Sequence, residues 1–89
     1  MTTRKDRDAE PMRLIGERIR QLRLRAGISQ EQLANDADIS RSYIAEVETG
    51  NRNISVVLIC EIAFALSVEP YQLLRFNALP QRTRVRNAR

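Results

Sequence analysis

The 89-residue sequence predicts an all-α domain of five short helices. Three observations lead there. Apolar residues recur at spacings of three and four rather than two, as a single helix face requires. Only 4% of the chain is aromatic although 43% is hydrophobic, so the core must come from Leu, Ile, Val and Ala packed between small helices. Three Gly and three Pro are too few for the turns of an all-β fold.

Residues 1–11 are polar, mixed in charge and end in Pro11, and are expected to be disordered. Leu14, Ile15, Ile19 and Leu22 then outline the apolar face of a first helix over about 12–25, with Arg13, Arg18, Arg20 and Arg25 opposite and Gly27 as its stop. Ser29 with Gln32 three residues on predicts the capped start of a second helix. In such a capping box the hydroxyl accepts from an orphan amide and the Gln side chain reaches back. Leu33, Ala34 and Ala37 form its buried face. Asp38-Ile39-Ser40 interrupts the helix, and Ser40 caps a third whose apolar side is Tyr43, Ile44 and Val47 and whose end is Gly50.

Asn51-Arg52-Asn53 reads as a polar loop and Ser55 as the cap of a fourth helix. That helix is apolar on most sides from Val56 to Leu66, which predicts a path through the core with Cys60 as a small buried residue. Pro70, placed where a missing amide costs nothing, opens a fifth helix carrying Leu73, Leu74 and Phe76. The folded domain is expected over 12–76, followed by a flexible basic tail over 77–89.

Charge and composition narrow the chemistry. The net charge of +4 lies wholly in the tail, in Arg82, Arg84, Arg86 and Arg89; residues 12–76 carry eight basic and eight acidic side chains. Basicity therefore says little about the folded part. There is no His, and Cys60 is the only cysteine, so zinc fingers, Cys/His nucleophile pairs and an intramolecular disulfide have no residues to build them. No paired carboxylates stand out for acid–base work, and a non-enzyme with no cofactor and no metal is expected. No stretch approaches the ~20 apolar residues of a membrane span. The chain also lacks the apolar run of a signal peptide, and a cytoplasmic protein with no membrane partner is expected.

Residues 29–50 have the order of features of a helix-turn-helix: two short helices at a steep angle, the second projecting. Ala34 supplies the small residue needed where the helices cross. Asp38 stands in the turn where a positive φ is required, and Ile39 plugs the space between the helices. What remains of the third helix faces outward: Arg41, Ser42, Ala45, Glu46 and Thr49. One charge, hydroxyls and a small residue suit base edges and phosphates. Arg41 is a candidate for guanine. Glu46 could accept from a cytosine amino group or could orient Arg41.

Ser29-Gln-Glu-Gln-Leu-Ala34, then Ile39-Ser-Arg-Ser-Tyr-Ile-Ala-Glu-Val-Glu-Thr-Gly-Asn-Arg-Asn53, then Ile62-Ala-Phe-Ala-Leu66 resembles the lambda-repressor-like (XRE-type) helix-turn-helix family, over about 14–75. Within it, Arg41-Ser-Tyr-Ile44 followed by Arg52-Asn53 is most similar to the controller proteins of restriction–modification systems. The resemblance implies that Gln30 holds a phosphate or supports the recognition helix. It places Arg41, Ser42, Ala45 and Glu46 on the base-reading surface, and Tyr43, Thr49, Arg52 and Asn53 where the DNA backbone passes. It also implies a buried ion pair between Arg23 and Glu48. Asp38 departs from the family's usual turn Gly.

The expected function is a sequence-specific regulator of transcription that binds double-stranded DNA as a homodimer, with Leu73, Leu74 and Phe76 as the dimer surface and no small-molecule ligand. Two other readings remain open: an antitoxin binding both its promoter and a toxin protein, and an interaction module that uses the fold as a scaffold without DNA.

Overall fold

The computed structural model describes residues 4–76, with side chains from residue 9 onward. The expected tail over 77–89 lies outside the described residues. Four α-helices are present, α1 (Arg4–Ala26), α2 (Gln30–Ala37), α3 (Arg41–Glu48) and α4 (Val56–Ala65), followed by a 3₁₀ turn over Pro70–Leu74. The fifth element is thus not an α-helix. Five residues between Pro70 and the extended Arg75 close only i→i+3 bonds, such as the Gln72 amide on the Glu69 carbonyl at 2.9 Å.

α1 begins at Arg4, not near Met12, so most of the segment expected to be disordered is helical. Pro11 lies inside it and forgoes one intrahelical bond. Strong helix formers surround it, and Arg13 bridges both Glu10 (2.6 Å) and Glu17 (3.3 Å) along one side.

Local chemistry sets the starts and stops of the elements. Ser29, Ser40 and Ser55 each accept a hydrogen bond from the amide three residues on, those of Gln32, Tyr43 and Leu58. The Gln32 side chain does not complete the box; it donates to Asp36 at 2.9 Å, one turn along its own helix. Each α-helix ends in a left-handed residue: Gly27 (φ 74), Asp38 (φ 59), Gly50 (φ 81) and Ser67 (φ 59). The next amide bonds back to a carbonyl five residues earlier, as Ile39 does to Ala34 at 2.9 Å and Val68 to Ala63 at 3.0 Å. These are Schellman closures, which satisfy the carbonyls a helix end leaves free.

The core is a single cluster in which Ile19, Leu33, Ile44, Val47, Ile62 and Leu73 are fully buried. α3 packs on α1 and α2, α2 also on α4, and the 3₁₀ turn on α4 and α1. Arg18 ties that last junction by donating to the Gln72 carbonyl (2.6 Å) and to its Oε1 (2.8 Å). Burial, and then the charges of Arg25 and Arg75, lower the pKa of Arg18 from arginine's ordinary value.

α4 does not run through the core as expected. Ile59, Ile62 and Ala63 are buried, but Val56, Val57 and Phe64 are exposed, Phe64 by 83%, and Cys60 is a free, exposed thiol. Neighbouring elements cover only one side of this helix, through α2 and the 3₁₀ turn.

Candidate nucleic-acid interface

Helix α3 is eight residues long, and its apolar side is fixed by Ile44 and Val47. Its far end is held by an ionic hub. Arg23 of α1 donates from Nε to Glu48 Oε2 (2.7 Å) and from Nη2 to Oε1 (3.0 Å), a bidentate pair removed from solvent. The third guanidinium nitrogen, Nη1, donates to the Ile28 carbonyl at 2.9 Å, and Gln30 Nε2 donates to Glu48 Oε1 at 3.0 Å. The hydrogen bond to Glu48 raises the Arg23 pKa further above arginine's ordinary value, burial opposing it. Among the described residues no buried side-chain nitrogen or oxygen lacks a partner. The hub therefore meets the condition under which a buried ion pair is tolerated.

A second contact sets how deeply α3 sits against α1. A Cβ added to Gly16 would lie 2.1 Å from the Val47 carbonyl oxygen, so the two backbones approach as only glycine allows. The sequence reading missed Gly16 because its partner lies some thirty residues away. The one available signal was a glycine in mid-helix, a costly place for it unless something packs closely.

The outward side of α3 presents Arg41, Ser42 and Glu46 as exposed side chains, with Ala45 half-buried between them. Arg41 makes no hydrogen bond to any described residue. Glu46 does not orient Arg41. It accepts from Arg52 Nε at 2.6 Å, and the Arg52 guanidinium carbon lies 4.9 Å from the centroid of the half-buried Tyr43 ring. The hydrogen bond to Glu46 raises the pKa of Arg52. Tyr43, Glu46 and Arg52 thus form one stacked, charge-paired group.

Thr49 turns its hydroxyl inward along the helix, donating toward the Ala45 and Glu46 carbonyls (3.2 and 3.1 Å), and it accepts from Asn51 Nδ2 at 3.0 Å. Asn51, which the sequence reading did not single out, thereby fastens the loop to the end of α3. Asn53 is exposed. Gln30 takes the supporting role of its two expected ones, through its bond to Glu48.

Of the expected dimer residues, Leu73 is fully buried within its own chain and cannot reach a second copy. Leu74 is 49% exposed and Phe76 half-buried. Among the described residues no group of Cys, Asp and Glu is placed to hold a metal ion, and no helix is long and apolar enough to cross a membrane.

Two eight-residue helices packed on each other, a left-handed turn at Asp38 between them and a polar, exposed face on the second together define the motif, and the helix-turn-helix domain family matches residues 14–76. The chain belongs to that family. The control protein C.BamHI of Bacillus amyloliquefaciens is 43% identical over 67 residues, covering 74% of this chain and 83% of the relative. The restriction–modification controller protein C.AhdI of Aeromonas hydrophila superposes with a TM-score of 0.69 at 45% identity, over 70% of this chain and 94% of that one. The controller protein C.Esp1396I, solved as a tetramer with its natural 35 base-pair operator, superposes with a TM-score of 0.63 at 25% identity, over 72% of this chain and 95% of its own. These likenesses place the chain among helix-turn-helix proteins of the transcription-regulator kind, close to restriction–modification controllers.

Proposed function

We propose that this protein is a sequence-specific, DNA-binding regulator of transcription of the restriction–modification controller type, acting as a homodimer on a two-fold symmetric operator. The observation that carries this reading is the exposed set Arg41, Ser42 and Glu46 on a helix whose opposite side is locked by the Arg23–Glu48 hub. A reader helix must be rigid on one side and chemically varied on the other. Arg41 is the base-reading cation, suited to a bidentate contact with guanine. Ser42 and Ala45 flank it, and Arg52, Asn53, Tyr43 and the Thr49–Asn51 corner meet the phosphate backbone.

One such helix covers a few base pairs, so two copies reading half-sites ~34 Å apart are required for useful specificity. The dimer surface is the uncovered side of α4, where Val57, Cys60 and Phe64 recur at three and four residues, continued by the exposed Tyr71 and Leu74. A stable interface needs ~800 Å² per partner. Two aromatic side chains of ~150–250 Å² each, with the aliphatic residues and a polar rim, reach that order. Occupancy then depends on the protein's own concentration.

The test is selection of bound sequences from random duplex DNA. A two-fold symmetric consensus is expected. Recovery of no consensus, or of one without symmetry, would overturn the reading.

A further inference from the structure

We propose that Glu46 is a selectivity latch: it holds Arg52 away from phosphate until a base-edge donor in the correct sequence takes over its carboxylate. The inference rests on the DNA-binding reading above and deepens it at one side chain.

Three observations converge. Glu46 is the one carboxylate on the outward side of α3, where an approaching duplex would place its phosphates and base edges. It is not free there, because Arg52 Nε donates to its Oε1 at 2.6 Å, with both side chains about half exposed at 47% and 51%. The guanidinium also lies over the Tyr43 ring, its central carbon 4.9 Å from the centroid, a second contact that favours the paired position. Arg52 leaves the loop after α3, and Glu46 lies within the helix, so the pair bridges the reading surface and the backbone-contacting loop.

The electrostatics follow from counting partners. On DNA of arbitrary sequence, Arg52 can stay on Glu46, and a phosphate goes unanswered. It can instead move to the phosphate, and a bare carboxylate is left facing a polyanion. Either choice weakens binding. On a sequence that brings a cytosine amino group under α3, that group donates to Glu46 in place of Arg52. The arginine is then released to the backbone, where it displaces condensed counterions. Base recognition and phosphate contact are thereby coupled, and specificity is gained by penalising the wrong partner as well as rewarding the right one. The outward face needs such a device because its cations, Arg41 and Arg52, would otherwise attract any duplex.

The pair is solvent-exposed, so its effect is bounded to a small factor. Glu46→Gln keeps the shape and removes the charge. Binding of the wild type and this variant is measured by fluorescence anisotropy on the selected operator and on a scrambled duplex of equal length and composition, across a salt series. On scrambled DNA the variant is expected to bind ~3–10-fold more tightly. Its logarithmic salt dependence there should steepen by ~0.9, the signature of one additional phosphate contact. The ratio of operator to scrambled affinity should fall. Unchanged affinity and slope on scrambled DNA would overturn the latch.

A second arm separates release of Arg52 from simple loss of a negative charge. In an Arg52→Ala background, Glu46→Gln is expected to give a smaller gain on scrambled DNA and no steeper salt dependence, because a repelling carboxylate is still removed but no arginine is left to release. An equal gain in both backgrounds would show general repulsion and also overturn the proposal. Failure of the underlying reading is distinct, since it would appear in the wild type as no sequence preference in the selection.

Discussion

The Arg23–Glu48 pair shows why a single substitution far from any ligand surface can decide whether α3 is presented at all. Glu48→Ala would leave a guanidinium buried with only the Ile28 carbonyl as partner. A loss of ~3–5 kcal/mol of stability is expected, the cost of an uncompensated buried charge, measured as a shift in the urea midpoint. A change below ~1 kcal/mol would show that water reaches the site and screens it. Arg41 is the opposite case. Its exposed side chain makes no hydrogen bond to a described residue, so Arg41→Ala should leave the unfolding midpoint unchanged. It should weaken operator binding by ~1–3 kcal/mol and relax preference at one base position. Repeating the random-duplex selection with the variant checks this, and an unaltered consensus would remove Arg41 from the readout. Both residues were legible in the sequence, Arg41 from its place on the outward face and the ion pair from the family resemblance. The Glu46–Arg52 pairing was not, because its members lie six residues apart across a helix end, where helical spacing gives no guidance.

At the scale of elements, the starts and stops were the most readable features and the faces the least. Ser29, Ser40 and Ser55 act within three residues of themselves, so their capping roles are written locally. Asp38 was likewise identifiable as the turn residue, and its φ of 59° bears this out. A side chain there is strained relative to glycine, and Asp38→Gly is expected to raise stability by ~1 kcal/mol in thermal or denaturant unfolding. A decrease would mean that the Asp side chain contributes a contact outweighing the backbone term. Gly16 predicts the reverse. Because a Cβ there would collide with the Val47 carbonyl, Gly16→Ala should cost ~1–3 kcal/mol by forcing α1 and α3 apart, although alanine is the better helix former. Denaturant unfolding checks the sign. The two misread helices failed for physical reasons. α1 has a polar, charge-mixed start interrupted by proline, which removes the apolar periodicity that marks a helix. α4 is apolar nearly all round, so its sequence could not distinguish the covered side from the bare one.

For the whole molecule, helix content and the order of elements were legible, whereas which apolar side chains stay exposed was not. The sequence pointed to Leu73, Leu74 and Phe76, but packing between α1 and α4 draws Leu73 inside, while Leu74 stays exposed and Phe64 is left outside. Phe64→Glu should therefore shift the protein toward monomer in sedimentation while leaving its helical circular dichroism intact. Operator affinity should fall with it, since each half-site would then be bound alone. A dimer persisting at the wild-type concentration dependence would move the interface elsewhere.

The division of labour within α3 has a practical corollary. Ile44, Val47 and Glu48 bind the helix to the rest of the fold, and Arg41, Ser42 and Glu46 are exposed. The two sets occupy different sides of eight residues. Anchor and vocabulary can therefore be exchanged separately: on the proposed reading, exposed side chains grafted from a relative, with Arg52 exchanged alongside its partner Glu46, would redirect the protein to another operator while the buried scaffold is kept.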